Sequence, residues 1–355
     1  GIQESTIKKI QIIRGLLLSS ICFSGQEKKI KKSLNFLEEE ILNDLNEEGV
    51  HISRSPFTQL AILADLITIR DTLITANFAV PVLLDNSVKK MSHALRFFRN
   101  INGTLAIFNG SKKGEKFVID KILSVADGKS RAKGPTSLTN SGFEKLSVPN
   151  INIFIDTLSS KNNVLSKCPH SIEIGIGKSR LLGSCGSIYG KNNKWRQLLM
   201  SSSAHSTLIL EDTNPFVGTD SKQETFSKRY KKNGAEFIEL THYGYYNRYS
   251  VICSRSIELG EDGRNIAGLD EIISETLKNF AIRFHFSPNI KISLSIDNQS
   301  AIIATNEQGW SFIFDGDAKL NLEPTIFAED NGRIVSSYQL VLFGQTTIKK
   351  TSILW

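Results

Sequence analysis

Apolar residues in the first hundred positions recur at the spacing of helix faces. Intervals of three or four predict helices over residues 7–17, 30–45, 57–77 and 81–98. The last begins at Pro81, a residue that suits the first turn of a helix. Short polar turns separate the first helices, so this half is predicted to form successive helical hairpins, followed by an irregular stretch.

After about Gly142 the hydrophobic period falls to two, which is the spacing of strands. The clearest example is residues 290–296, where isoleucine and leucine alternate with polar residues, and Trp310, Phe312 and Phe314 alternate again beyond a turn. Many short strands with Gly, Asn and Asp turns are typical of an antiparallel β-sandwich. We therefore expect an α+β multidomain protein with a helical domain over residues 1–135 and an antiparallel β-sandwich over 136–355.

Composition limits the classes of function. A chain of 355 residues can hold two cores, and no apolar run reaches the roughly 18 residues that a membrane span needs. The four cysteines lie far apart without a CxxC pair, which argues against a disulfide framework and a thiolate zinc site. The net charge of +7 favours a polyanionic partner. Positive charge is the only evidence for nucleic acid as this partner, so nucleic-acid binding is not predicted. The sequence leaves the compartment open between periplasm and cytoplasm.

The segment GIGKS at residues 175–179 ends like a phosphate-binding loop. Such a loop needs a further glycine five residues before Gly177, and position 172 is isoleucine. The segment also lies in sequence with strand periodicity and no helix after it. A nucleotide site is therefore not predicted.

The segment EEGVHISRSP at residues 47–56 joins two predicted helices, a place where rigid elements can hold a site. In one interpretation His51 is a base and Arg54 binds a carboxylate. In the other the segment is a capping turn, with Ser55 as N-cap and Pro56 in the first turn. Both interpretations stay open.

The β half contributes further candidates. His242 and Tyr245 lie in a stretch where aromatics and arginines interleave, a composition that can stack on sugars, although strand alternation explains it equally well. His285 shares a strand face with Arg283, and a structural histidine is the favoured interpretation there. A metal site in the β half would recruit its ligands from His170, His242 and His285. The candidate substrate-binding residues are Arg99, Arg255 and Arg283.

Several segments, taken in order along nearly the whole chain, resemble the heparinase II/III family of polysaccharide lyases, in particular an alphaproteobacterial subgroup. They are GVHISRSP, LRFFRNINGTLAIFNG, SIEIGIGKSRLLGSCG, SSSAHSTLILEDT, THYGYYNRYSVICSRSIEL, GLDEI, FAIRFHFSP, GWSFIFDG, LEPTIFAEDNGRIVSSYQLVLFG and the final Trp355. The resemblance implies a partial (α/α) toroid followed by an antiparallel β-sandwich. It also implies that residue 1 lies inside the toroid, after its earlier helices.

Lyases of this kind cleave uronic-acid polysaccharides by β-elimination. The reaction needs a group that neutralises the sugar carboxylate, a base that removes the neighbouring proton and an acid for the leaving oxygen. The resemblance implies a tyrosine as base or acid, with a histidine and an asparagine or second histidine assisting. It also implies a zinc ion in the sandwich.

The toroid motif of the family, D-G-x-x-x-E-x-S-P-x-Y-H, is matched only in part. Ser55 and Pro56 agree with it, but Glu48 stands at the Asp position and Ser53 at the Glu position. Thr58–Gln59 replace Tyr-His, so the tyrosine base that the family implies is missing.

The sandwich motif of the family, H-x-H-x-D-x-x-S-F-E, is matched at Ser171 and Glu173. Its histidines and aspartate fall on Val164, Ser166 and Cys168, and a later zinc-binding aspartate falls on Ser184. Only His205 keeps a zinc-ligand position. Because zinc needs three or four ligands, His205 is interpreted as the remnant of a metal site, and no cofactor is expected.

Two functions follow for an acidic polysaccharide partner. The first is a lyase in which His51 or His242 is the base and Arg54 neutralises the carboxylate, with Tyr245 as a further catalytic candidate. The alternative is a degenerate family member that binds the polysaccharide without cleaving it.

Overall fold

The computed structural model describes residues 2–128, 132–157, 168–188, 193–216 and 225–355. The chain divides into two compact units, each with its own core. The first comprises the residues up to Arg99 and then Gly103–Ser141, and the second comprises Asn100–Asn102 and Gly142–Trp355. The units thus divide at Ser141/Gly142, where the sequence placed the change at 135/136.

The first unit is helical. Its helices are α1 Ile2–Ile21, α2 Glu27–Asp44, α3 Pro56–Thr75, α4 Val82–Phe97 and α5 Lys116–Asp127, followed by the short strand β1 Ser137–Leu138. Helix α3 lies at the centre, because it packs against α1, α4 and α5 and is buried on several sides. The apolar stripe of α1, Ile10, Ile13 and Leu17, is buried as its spacing predicts. The predicted α1 to α4 are confirmed.

Helix α5 was not predicted, and the irregular stretch expected over its residues is wrong. Ile119, Leu123 and Ala126 are spaced by four and three residues and form one buried face, which packs against α3 and α4. Gly128 ends the helix with a positive φ of 71°, a conformation that glycine adopts without strain. Among the described residues, no helix of either unit is both long and apolar enough to cross a membrane.

The second unit is built of strands. They are β2 Phe143–Val148, β3 Ile151–Asp156, β4 Ile172–Ile176, β5 Ser179–Gly183, β6 Leu208–Leu210, β7 Thr225–Lys232, β8 Ala235–Tyr245, β9 Val251–Leu259, β10 Ile266–Ser274, β11 Asn279–Phe286, β12 Lys291–Leu294, β13 Ser300–Ala304, β14 Gly309–Ile313, β15 Lys319–Ala328, β16 Ile334–Gln345 and β17 Lys349–Leu354. Two short helices, α6 Asn193–Leu199 and α7 Tyr246–Tyr249, join them.

The strands form antiparallel sheets. In the larger sheet the order is β2-β3-β4-β5-β11-β16-β15, and β6 also pairs with β11. A second sheet has the order β17-β10-β9-β8-β7, and a small sheet has the order β12-β13-β14. Alternate residues of the two larger sheets, such as Phe284 and Ile257, belong to one apolar core. The α+β class with antiparallel sheets is therefore confirmed.

The strand predicted over residues 290–296 is shorter than expected. Strand β12 ends at Leu294, and Ile296 lies fully exposed in the turn to β13. Ile292 and Leu294 pack against the core as the alternation predicts.

Candidate functional site

The loop between α2 and α3 holds His51 and Arg54 inside the helical unit. The His51 side chain is 1% exposed, its Nδ1 lies 2.7 Å from Ser53 Oγ, and the Ser53 N–H donates to the same nitrogen at 3.1 Å. Burial lowers the pKa of His51 from 6.5 to about 4. Because both bonds engage Nδ1 and the ring is buried, His51 is neutral at neutral pH.

Arg54 is also buried. Its backbone has a positive φ of 53°, and its Nε donates to the carbonyl oxygen of Ser141 at 2.8 Å. Ser55 is the N-cap residue of α3 and Pro56 its first residue, but the Ser55 side chain makes no capping bond. Instead the Ser111 hydroxyl accepts from the Phe57 N–H at 2.9 Å. Arg54 therefore ties the loop to the end of the helical unit.

The positions where the family motif has Tyr-His, Thr58 and Gln59, are buried in α3. Gln59 Oε1 accepts from the His51 N–H at 2.9 Å, and its Nε2 donates to the Gly49 carbonyl at 2.6 Å. Gln59 thus holds the loop in place by hydrogen bonds that span it.

His242 lies on the inward face of β8. It is 2% exposed, and its Nδ1 accepts from the Gly244 N–H at 3.2 Å. The His170 ring packs edge-on against it with centroids 4.7 Å apart. Burial, and secondarily the Arg255 charge, lowers the pKa of His242 to about 3. His170 is buried as well, with 3% of its surface exposed.

Tyr245 is buried at the end of β8. Its hydroxyl donates to the Thr213 carbonyl at 2.8 Å and accepts from the Leu210 N–H at 3.3 Å. Burial raises the pKa of Tyr245 well above its ordinary value. The hydroxyl therefore acts as a structural bridge between the β6 turn and β8.

Arg255 is the largest fully buried side chain of the protein's described residues. Its guanidinium forms two bonds to the Asp270 carboxylate, at 2.7 and 2.9 Å, and donates to the His170 carbonyl at 2.9 Å. Trp355 donates its indole N–H to Asp270 at 2.7 Å. Such a two-pronged pair compensates a buried charge, so Arg255 is committed inside the sandwich.

The other two arginine candidates are placed differently. Arg99 forms an ion pair with Asp120 in the helical unit. Arg283, on β11, lies in an open groove of the larger sheet, 3.8 Å from Asp212 and 3.6 Å from Glu323. Of the candidate arginines in the β unit, Arg283 is therefore the one that a ligand can reach.

His205 follows a short 3-10 turn and is buried. Its Nδ1 lies 2.9 Å from the Ser201 carbonyl and 3.2 Å from Cys168 Sγ. Burial lowers the pKa of His205. Val164 and Ser166, where the family motif has histidines, lie outside the described residues. Within the described ranges, no group of three or more His, Cys, Asp or Glu side chains is arranged to hold a metal ion.

The described residues therefore do not fit the zinc site that the resemblance implies. Cys168 Sγ and His205 Nδ1 lie 3.2 Å apart and could both face a metal ion. Ser184, however, stands at the position of the family's zinc-binding aspartate and offers a hydroxyl in place of a carboxylate. The catalytic, substrate-binding and zinc assignments made from the sequence stay predictions.

An exposed strip on the outer face of β7 and β8 was missed from the sequence. We call Phe226, Tyr230, Phe237, Tyr243 and Tyr246, with Lys228, the aromatic–lysine strip. Tyr230 stacks on Phe237 at 5.2 Å, Phe226 meets Tyr243 at 6.2 Å and Tyr243 meets Tyr246 at 6.0 Å between ring centroids. The Lys228 ammonium lies 5.5 Å from the Tyr230 ring centroid.

The signal for this strip was present in the sequence. The stretch TFSKRYKK alternates aromatic and basic residues, but its many lysines favour a solvated turn when the sequence is considered alone. The structure instead extends it as β7, with the turn at Asn233 and Gly234. Alternation then places Phe226, Lys228 and Tyr230 on one face.

The comparisons with known proteins agree with this architecture. Residues 131–355 match the family described as Heparinase II/III-like, C-terminal. The chain is 28% identical over 294 residues to FtsZ-localized protein C of Caulobacter vibrioides, covering 74% of this chain and 50% of that protein.

Two solved structures share the fold over nearly the whole chain. The heparinase III BT4657 gene product matches with a TM-score of 0.80 at 13% identity, covering 96% of this chain and 58% of that one. The heparan sulfate lyase HepC from Pedobacter heparinus matches with a TM-score of 0.73 at 14% identity, covering 97% and 59%. The chain thus spans between half and three fifths of the length of these relatives.

Proposed function

Because this chain belongs to the heparinase II/III-like family, we propose that it binds an acidic polysaccharide and does not cleave it. The family and fold support a polysaccharide-lyase-like protein. The observation that carries the non-cleaving form is the burial of every side chain that the sequence nominates for proton transfer.

A base for β-elimination has to come within hydrogen-bonding distance of the proton on the sugar ring. His51 and His242 are 1% and 2% exposed and have pKa values near 4 and 3, so neither ring meets a polymer. The Tyr245 hydroxyl is held by Thr213 and Leu210, and its raised pKa keeps it protonated. The three side chains stabilise the fold through the buried hydrogen bonds and ring contacts that they make.

Binding is supported by the aromatic–lysine strip. Phe226 is 59% exposed and Tyr246 50%, so their rings are free to pack on the apolar faces of sugar rings. Lys228 and Lys232, which share one face of β7 with these rings, add positive charge along the edge of the sheet. Each exposed charge contributes little, but several along one polymer add up and weaken as salt rises.

The test follows both binding and cleavage with the purified chain. A panel of uronate polysaccharides is offered, and unsaturated uronate is followed by its ultraviolet absorbance while retention on the immobilised polymers is measured. We expect salt-sensitive retention without unsaturated product, and no retention on neutral dextran. Accumulation of unsaturated product that His51→Ala or His242→Ala abolishes would overturn the non-cleaving form.

Matched variants locate the binding surface. Lys228→Gln combined with Lys232→Gln should weaken retention, whereas Lys28→Gln combined with Lys29→Gln, which removes the same charge from the exposed side of α2, should not. Equal loss in both double variants would mean that net charge, and not the strip, carries the binding.

A second candidate function comes from the relative in Caulobacter vibrioides, which is named for its localisation to FtsZ and matches 74% of this chain. On that basis we propose that this chain also associates with FtsZ. Co-sedimentation of the purified chain with assembled FtsZ tests it, and a chain that stays in the supernatant at all FtsZ concentrations contradicts it. This candidate is compatible with a protein that has no lyase turnover.

A further inference from the structure

The outer face of the larger sheet carries a groove that the proposed function does not use. One depression, of about 400 Å³, lies over β11, β15 and β16 and is bordered by the turn after β6. A second, of about 430 Å³, adjoins it and shares Phe343 and Gly344. We call the two together the β16 groove. Each volume is in the range of small-molecule sites.

Arg283 at the floor of the β16 groove has donors without acceptors. Its guanidinium lies 3.8 Å from Asp212 and 3.6 Å from Glu323, and both distances exceed a hydrogen bond. Its Nε is buried without a hydrogen-bond partner. A ligand oxygen that accepts from the terminal guanidinium nitrogens would satisfy them better than the two carboxylates do.

A second buried polar group lies next to Glu323, one of the residues that line the groove. Gln339 pairs across the strands with Glu323 and donates from Nε2 to its carboxylate at 3.2 Å. The residue is 7% exposed, and its Oε1 is buried without a partner. Buried polar atoms in native proteins are nearly always paired, so the unpaired amide oxygen of Gln339 indicates that a small polar group such as water completes the bonding next to Glu323.

The lip of the groove is fixed. Glu211 and Asp212 both have a φ of 49°, in the left-handed region that few side chains adopt. The Glu211 carboxylate accepts from the Asn279 backbone N–H at 2.7 Å and its side-chain N–H at 3.3 Å. The Glu211 N–H in turn donates to the Asn279 carbonyl at 3.0 Å. These bonds hold a carboxylate at the rim of the groove.

The charge of the groove is opposite to that of the chain. Its lining contains four carboxylates, Glu211, Asp212, Asp317 and Glu323, against two cations, Arg283 and Lys319. The chain as a whole has a net charge of +7. A uronate would meet these carboxylates as like charges, whereas a cationic group is attracted.

We propose that the β16 groove binds an oligosaccharide of amino sugars with protonated amines. The ammonium groups pair with the carboxylates, the hydroxyls accept from Arg283 and bond to side chains such as Asn321, and the ring faces pack on Phe343. A simple polyamine has no acceptor for Arg283, and a neutral sugar leaves the carboxylates without a cation. This site is separate from the aromatic–lysine strip and does not depend on it.

The experiment measures binding by calorimetry at mildly acidic pH, where glucosamine amines are protonated. The probe is a glucosamine tetramer, and the comparisons are its fully N-acetylated form, spermine and a lysine tetrapeptide. We expect the glucosamine tetramer to bind most tightly, with the acetylated form weaker by roughly tenfold, since loss of the charges removes the ion pairs. Equal or tighter binding of the lysine tetrapeptide would replace the sugar with a basic peptide and overturn the proposal.

Conservative variants keep the test specific. Asp212→Asn combined with Glu323→Gln removes two charges from the groove, and we expect binding of the glucosamine tetramer to fall roughly tenfold. Glu261→Gln combined with Glu307→Gln removes two exposed carboxylates outside the groove; it is the matched control and should leave binding unchanged. Thermal unfolding verifies that both proteins are folded. No binding by the wild type, or equal binding by the double variant, contradicts the site.

Discussion

His242 and Tyr243 are neighbours in β8, yet their side chains lie in opposite environments. His242 points into the sandwich, where it packs against His170 under the Arg255 network. Tyr243 points outward and joins the aromatic–lysine strip. Strand alternation alone produces this difference, so two residues that look equally functional in the sequence have separate consequences, one for stability and the other for binding.

The largest effect is expected for the buried histidines, whose protonation should unfold the protein in acid. The pKa values of His51 and His242 are lowered from 6.5 to about 4 and about 3, so below 6.5 the unfolded chain takes up protons that the folded chain does not. The free energy of unfolding should therefore fall as the pH drops, by on the order of 3 kcal/mol for His51 alone by about pH 4. Denaturant titrations across this window measure it, and a flat profile would mean that these rings are accessible.

The next largest effect is expected for Arg255→Met, which leaves Asp270 buried without its partner. Breaking a buried ion pair from one side typically costs about 3–5 kcal/mol. Arg264→Met is the matched control, because Arg264 is 86% exposed and should change the free energy of unfolding by less than about 0.5 kcal/mol. Chemical denaturation of the two variants compares them directly, and similar losses would contradict the assignment of Arg255 to the fold.

A smaller effect is expected at the outward face of β7 and β8, and it concerns polysaccharide binding and not the free energy of unfolding. Phe226→Ala removes an exposed ring of the strip, so retention on acidic polysaccharide should weaken by roughly fivefold while the melting temperature stays the same. Phe36→Ala in α2, where the ring is 45% exposed, serves as the control. A drop in melting temperature without loss of retention would place Phe226 in the core rather than in the binding surface.

The smallest effect is expected for metal content. His205 already engages the Ser201 carbonyl and lies against the Cys168 thiol, so the purified chain should carry far less than stoichiometric zinc. Elemental analysis of the wild type and of His205→Ala should give equal, low values. Stoichiometric zinc that disappears in the variant would restore a metal site to the inward face.

The sequence predicts the elements well where apolar periodicity is long. Helices α1 to α4 and the alternating strands follow from spacing alone, and the buried stripe of α1 agrees with them. Helix α5 was not predicted because it has only 12 residues and follows a glycine-containing stretch. Its Ile119, Leu123 and Ala126 nevertheless have the spacing of one helix face.

The environment of the candidate residues could not be predicted, because it depends on pairings between distant strands. Asp270 lies opposite Arg255 only through the register of β9 and β10, and no local pattern specifies it. In the same way Arg283 is near Glu323 because β16 lies between β11 and β15. The sequence identified residue types with suitable chemistry, and the folded sheets determine which of them meet a ligand.

Residues Asn100–Asn102 have a practical consequence for dissecting the protein. They belong to the β unit although the chain then returns to the helical unit for Gly103–Ser141. Asn100 donates to Glu173 at 2.9 Å, and its Oδ1 would have to shift to admit a side chain at Gly175, while Glu173 also pairs with Arg180. A fragment cut at Gly142 would therefore lack one of its own buried parts, so a recombinant β unit has to be made as a two-piece assembly or with Asn100–Asn102 grafted back.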